Sequence, residues 1–300
     1  MPDAKPLLIV VGGPTASGKT GLAIDLARHF STEIISGDSR QFYREMRIGN
    51  ARPSEEELAA VPHHFVADRS ITEPLTAGRF AEEALARLAD IHARHRVAVL
   101  VGGSGLYLRA LCAGLDEFPE VTEAARTQVQ RLYESAGLPA LQQRLAELDP
   151  AYFAEVDRQN PRRLIRALEV SLSAGKAYSS FRGQQKPRPF QPLYLKLHPD
   201  REVLYARINQ RVDEMLAEGL EAEAQRLRDY RHLPVMQTVG YQEWWPYFDG
   251  EYDRSTAVEL IKRNSRRYAK RQVTWFGKGE TYRAVSNLED ALRIVGVHWS

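Results

Sequence analysis

With 300 residues the chain can bury one large core, or a core domain carrying a smaller second one, and its formal net charge of +2 rules out a polycation overall. The lone cysteine, Cys112, excludes an intramolecular disulfide and fits a reducing compartment. No apolar run reaches membrane-span length and the N-terminus has no signal-peptide pattern, so the expectation is a soluble cytoplasmic protein.

LLIVVG at 7–12 predicts a buried strand, and it runs straight into GGPTASGKT, whose residues 13–20 complete the pattern G-x-x-x-x-G-K-[ST]. Gly13, Pro14, Thr15, Ala16, Ser17 and Gly18 form a loop whose backbone N–H groups can face a phosphate. Lys19 reaches its outer oxygens, and Thr20 offers a hydroxyl to Mg²⁺. A helix is expected over 19–30, opening with its positive end on the loop. The loop alone fits ATP or another nucleotide as well as a simpler diphosphate.

The next strand, EIIS at 33–36, leads into GDSRQ and places Asp38, Ser39 and Gln41 at the carboxyl edge of the sheet, where ligands of open α/β sheets bind. An Asp at that edge can take a proton from a nucleophile; the structural alternative is that Asp38 or Ser39 caps a following helix. Further along come a helix at 55–60, a strand at 64–67, a helix at 77–94 and a strand at 97–102. In P-loop hydrolases such a strand ends in the Asp that organises Mg²⁺ and water; here it ends in Gly102, Gly103, Ser104 and Gly105, which argues against routine nucleotide hydrolysis.

A helix at 105–113 contains Cys112 at an apolar position, read as a buried structural thiol. From 117 to 176 every segment has helical period and none reads as a strand. A Pro- and Gln-rich loop at 179–192, a short strand at 193–197 and a helix with Asp200 as N-cap return the chain to the sheet. The fold class is therefore α/β: a P-loop NTPase-like parallel sheet with helices on both faces (1–116 and 190–300) and an inserted all-helical domain at 117–189.

A last long helix is expected over 255–276. No Asp or Glu occurs from Leu260 to Gly279, while Lys262, Arg266 and Lys270 stack at i, i+4 beside a row of Arg263, Arg267 and Arg271. Like charges at this spacing repel, so the face predicts a polyanion partner. Arg162, Arg163 and Arg166, and Arg182, Lys186 and Arg188, form two further acid-free patches. Tyr268, Trp275 and Phe276 are interleaved with the basic helix and read mainly as core, with base stacking as the minority alternative. His63 and His64 have no partners at metal-ligand spacing and read as a structural pair.

Taken together, GGPTASGKT, GDSRQFYREMRIGNARP, PHHF, GGSGLYLRAL, PRRLIRALEV, VGYQEWW and KRQVTWF, in order from residue 12 to residue 276, resemble the bacterial tRNA dimethylallyltransferases. The resemblance implies transfer of the five-carbon group of dimethylallyl diphosphate to N6 of the adenine at tRNA position 37, with an inserted helical domain clasping the anticodon stem-loop. It implies Asp38 as the base, with Lys19, Thr20 and Mg²⁺ on the diphosphate. Ser39, Arg40 and Gln41 would hold the flipped adenosine, Ser104 and Arg126 would touch the tRNA, and Arg162, Arg163, Leu164, Ile165 and Arg166 would grip its backbone. Arg207 and Arg211, one turn apart, would reach the diphosphate. Lys262, Arg266, Lys270 and Arg271 complete the expected tRNA surface, on a monomer needing no protein partner.

The chain departs from the family pattern at Arg40, Arg47 and Asn50, has Ser104 where Thr is usual, and has Arg162 at a position often Gln. Two other enzymes share parts of this reading: an adenylate isopentenyltransferase acting on a free nucleotide, and a P-loop small-molecule kinase. A non-enzymatic nucleotide-dependent RNA-binding module is the alternative from another class.

Overall fold

The computed structural model describes residues 5–183, 186–278 and 281–299. They form two compact units, one made of residues 1–113 and 188–300 and the other of residues 114–187.

The larger unit is built on strands β1 (Leu7–Gly12), β2 (Ile34–Ser36), β3 (His63–His64) and β4 (Val97–Gly102), alternating with helices α1 (Lys19–His29), α2 (Glu55–Ala60) and α3 (Ala77–His92) and followed by α4 (Gly105–Ala113). In the helical unit, α5 (Glu123–Leu148) is broken at Gly137, just ahead of Pro139, and is followed by α6 (Pro150–Glu155) and α7 (Pro161–Ala174). The chain then returns through β5 (Gln191–Leu197), α8 (Arg201–Ala217), α9 (Leu220–Arg226), α10 (Trp244–Phe248), α11 (Arg254–Phe276), β6 (Arg283–Val285) and α12 (Leu288–Trp299). β6 and α12 add to the elements expected from the sequence.

All pairings are parallel, in the order β3-β2-β4-β1-β5-β6. Because side chains alternate along a strand, Leu8 and Val10 of β1 enter one core with Leu100, Phe80 and Trp244, while Leu7, Ile9 and Val11 enter the opposite core with Leu26, Val99 and Leu195. A sheet covered on both faces explains why its central strands read as continuous apolar runs. Both β1 and β4 end in glycine at the same register, Gly12 beside Gly102, so the phosphate loop and the Gly103–Ser104 turn leave the sheet side by side. The helical unit has its own core of Val129, Leu141, Leu145, Leu164 and Leu168.

Two local expectations need correction, and one structural alternative falls away. The third strand stops at His64, because Phe65 and Ala67 have φ of 62° and 51° and leave the extended conformation. Asp200 stands at the N-cap of α8 but its side chain accepts no capping hydrogen bond. No helix follows Asp38; its carboxylate accepts the N–H of Arg40 at 3.2 Å in a local turn.

Candidate active site

The loop between β1 and α1 is held from within and from outside. Gly18, at φ 90°, takes the left-handed conformation that turns the chain into α1, a position a side chain would strain. The N–H of Ser17 donates to Pro14 O at 3.3 Å, and Lys19 Nζ folds back onto the same carbonyl at 3.3 Å. From α11, Gln272 Oε1 accepts the N–H of Thr15 at 2.8 Å while its Nε2 donates to Gly103 O at 3.0 Å. Gln272 is buried, so one amide side chain ties the phosphate loop to the turn after β4.

Around this loop lies a cleft of about 980 Å³ lined by Thr15, Ser17, Lys19, Thr20, Asp38, Gln41, Asn50 and Arg211. Burial lowers the Lys19 ammonium to about 8, with Asp38 pulling it up and Arg211 pushing it further down. Burial also lowers Arg211, though a guanidinium stays protonated. Lysine and arginine are thus desolvated beside the loop, an arrangement that favours an anionic ligand. Arg207 is exposed and does not line the cleft; it stands one helical turn before Arg211, so the expectation of an Arg207 contact with the diphosphate is not supported by its position.

A smaller recess joins Lys19, Thr20, Asp38 and Gln41 to His63. The two histidines therefore separate. His64 Nε2 meets Glu33 Oε2 at 2.6 Å, as a structural pair would. His63 Nδ1 lies 2.8 Å from Val61 O and so carries the proton, which leaves Nε2 as an acceptor, and among the described residues that buried nitrogen has no partner. Burial lowers the His63 pKa, keeping the ring neutral.

The edge beyond Asp38 is set by loops. Ser104 Oγ accepts the N–H of Ser39 at 3.0 Å and lies 2.9 Å from Ser39 Oγ. Gln41 Nε2 donates to Ala51 O at 2.9 Å, and Asn50 Nδ2 to Arg40 O at 2.8 Å. The Arg40 guanidinium sits 4.4 Å from the centre of the Tyr268 ring, whose hydroxyl meets Ser104. Underneath, the buried carboxylate of Glu223 accepts the N–H groups of Arg47, Ile48 and Gly49, each at 3.0 Å, and the Tyr241 hydroxyl at 2.6 Å. The 47–52 segment that walls the cleft is thereby pinned from α9. Neither Glu223 nor Gln272 announces itself in the sequence, because each acts on a segment far away along the chain.

The basic surfaces are less uniform than their sequences. Lys262 pairs with Asp213 at 2.7 Å and Arg266 donates to Asn209 Oδ1 at 2.6 Å, so these two serve the α8–α11 seam. Arg263, Arg267, Lys270 and Arg271 are exposed. The cationic face of α11 therefore consists of the second row together with Lys270. Of the residues near 182–188, Arg182 pairs with Glu155, Lys186 with Glu117 at 2.5 Å, and Arg188 donates to Leu111 O at 2.8 Å and Ala110 O at 3.0 Å at the end of α4. Acids distant in sequence neutralise two of the three cations in what looked acid-free.

Within the helical unit, Arg162, Arg163 and Arg166 are exposed and Arg126 pairs with Glu123 at 3.3 Å. Leu164 is 0 % exposed and Ile165 packs partly buried against the same core, so the expectation that 162–166 grips RNA continuously is corrected: its apolar members hold α7 in place. A hollow of about 700 Å³ beside Val129, Leu132 and Leu168 contains none of the phosphate-binding groups. Cys112 is buried and its thiol is pushed up to about 12, an inert structural group. No helix among the described residues is long and apolar enough to cross a membrane.

The profile of the IPP transferase family matches residues 41–279. The tRNA dimethylallyltransferase of Christiangramia forsetii is 49 % identical over 272 residues, covering 90 % of each chain, and that of Flavobacterium johnsoniae is 47 % identical over 280 residues, covering 91 % of each. Among solved structures, the tRNA isopentenylpyrophosphate transferase of Bacillus halodurans superposes with TM-score 0.71 at 36 % identity, over 98 % of this chain and 95 % of that one. A eukaryotic dimethylallyltransferase acting on tRNA gives TM-score 0.76 at 28 % identity, over 97 % of this chain and 77 % of that one.

Proposed function

The chain belongs to the IPP transferase family, and from that premise we propose that it transfers the dimethylallyl group of dimethylallyl diphosphate to N6 of adenine 37 of tRNA, releasing diphosphate. The observation that carries the reading is the convergence of the phosphate loop, half-buried Lys19 and Arg211, and Asp38 on one cleft.

In this reaction a C–N bond forms at N6 while the allylic C–O bond breaks, and the electron pair leaves on the diphosphate. Loop amides, Lys19 and Arg211 stabilise that growing charge in a site where part of their own hydration has already been removed. The Asp38 carboxylate takes the N6 proton, which matters because the amine's lone pair is delocalised into the ring. A base must leave its stack to enter the cleft, and Ser39, Gln41 and Ser104 stand beside Asp38 to receive it. No residue has to activate water, in keeping with the glycine-serine end of β4.

The Thr20 hydroxyl and the Asp38 carboxylate share one recess, and such oxygen donors suit a hard divalent cation that keeps several waters, whereas the neutral His63 nitrogen beside them is not a donor that such a cation favours. Among the described residues no group of three or more His, Cys, Asp or Glu could hold a metal, so Mg²⁺ would rest on Thr20 and on the substrate's own phosphates. When bound it would offset charge on the leaving diphosphate. We further propose a monomeric, cytoplasmic enzyme whose RNA-facing cations are Arg263, Arg267, Lys270 and Arg271, with the helical unit's Arg126, Arg162, Arg163 and Arg166 as a second surface for the anticodon stem-loop.

The test is to supply labelled dimethylallyl diphosphate and Mg²⁺ with tRNA, AMP or ATP. Label in tRNA at adenine is the expected result. Label in the free nucleotide would indicate the adenylate enzyme, and label in neither, with ATP-dependent phosphorylation of a small acceptor, would overturn prenyl transfer.

A further inference from the structure

Three aromatic residues are interleaved with the cations of α11, and the structure gives them different surroundings. Phe276 is 2 % exposed and packs edge-on against Tyr282 at 5.1 Å. Tyr268 has Arg40 over its ring at 4.4 Å and Arg271 at 5.6 Å. Trp275 is 39 % exposed, a large amount for an indole in the last turn of a helix whose neighbouring faces are buried.

The indole is also seated on a prepared spot. A Cβ added to Gly105 would lie 1.9 Å from Trp275 Nε1, so the ring rests directly on the backbone that opens α4, one residue after Ser104. No side chain fits between them. Leu106, the residue after Gly105, is 48 % exposed. Exposed Arg271 lies one turn before Trp275 and exposed Lys278 just after it, and residues 260–278 contain no carboxylate.

We propose that Trp275, backed by Gly105, is a stacking platform for a nucleobase of the bound RNA next to the adenine that enters the cleft. The inference rests on the RNA reading given above. A flat aromatic face flanked along α11 by Arg271 and Lys278 matches the chemistry of a base attached to phosphates, and Ser104 places it beside the polar edge of the cleft. A neutral or basic peptide would leave the surrounding cations without counter-charges.

The test compares the wild type, Trp275→Ala and Trp275→Phe for binding of an anticodon stem-loop RNA across a salt series, with a parallel set of RNAs made abasic at each loop position. Loss of a stack weakens binding by roughly 5- to 150-fold. Trp275→Ala should show such a loss with an unchanged salt slope, because no phosphate contact is removed. Trp275→Phe should retain most of the affinity, and Gly105→Ala, which displaces the ring, should resemble Trp275→Ala. One abasic position should weaken the wild type and add nothing to Trp275→Ala. Unchanged affinity in Trp275→Ala, or equal further losses with every abasic RNA, would overturn the platform while leaving tRNA binding by the wild type intact. Failure of the wild type to bind tRNA would instead remove the functional reading on which it rests.

Discussion

Gln272 Oε1 holds the backbone N–H of Thr15 at 2.8 Å across 257 residues of sequence, and the same side chain grips Gly103 O. The helix that presents exposed arginines on its surface is thereby joined to the phosphate loop. Gln272→Ala leaves the buried Gly103 carbonyl and the partly buried Thr15 N–H unpaired, at about 1–3 kcal/mol for the buried group and less for the other. A lowered melting temperature is expected, together with a raised KM for dimethylallyl diphosphate and an unchanged Kd for tRNA. If KM for the diphosphate does not move, the contact only stabilises the fold.

Asp38→Asn keeps the size and turn geometry of the side chain but removes the carboxylate proposed as proton acceptor. We expect kcat to fall by about a hundredfold to ten-thousandfold, with diphosphate and tRNA affinities nearly unchanged. Single-turnover transfer measured on preformed complex gives the answer directly; a variant that retains full transfer would assign the base elsewhere.

How much of this site could be read in advance depends on how local its determinants are. The phosphate loop and Asp38 were legible because a strand end and a turn require particular residues within a few positions. Glu223 lies in an ordinary helical run, and its role arises from backbone groups about 175 residues earlier in the chain. Lys262 and Arg266 followed the helical period correctly, yet their partners, Asp213 and Asn209, belong to another helix and appear only after packing. The same limit applies to His63, whose partnerless nitrogen depends on the recess that the fold forms around it. Three-residue β6 carries too little local pattern to be distinguished from a loop.

Glu223 gives a sharp separation between positioning and chemistry. In Glu223→Gln the amide nitrogen must face backbone donors that now meet a carboxylate, so the 47–49 segment loses part of its support. Breaking one such buried contact costs about 1–3 kcal/mol. The predicted signature is a higher KM for RNA and a lower melting temperature, with the pH profile of kcat preserved. A displaced pH profile would show that Glu223 acts on the proton transfer itself.

The two rows of α11 should behave differently in salt. Replacing Arg263, Arg267 and Lys270 with Ala is expected to lower the slope of log K against log salt by about one for each phosphate contact removed. Lys262→Ala should leave that slope alone and cost well under about 1 kcal/mol of stability, since its partner Asp213 is largely exposed. Equal slopes in the wild type and the triple variant would remove this helix from the RNA interface.

Lys19 supplies a pH test with a definite sign. In the free protein, burial places its ammonium at about 8. A bound diphosphate favours the charged form, so the complex keeps this proton to higher pH than the free protein does. Above pH 8 the complex therefore holds more protons, and affinity must fall as pH rises, by up to about tenfold per unit; below pH 8 both forms are protonated and the group contributes no slope. Lys19→Arg remains charged throughout, and the ratio of wild-type to variant affinity cancels the ionisation of the ligand itself. Measured by calorimetry with inorganic diphosphate, that ratio should be flat below about pH 7.5 and decline above about pH 8. A ratio that stays constant to about pH 9.5 would mean that Lys19 keeps its proton unaided and is more hydrated than its position in the cleft implies.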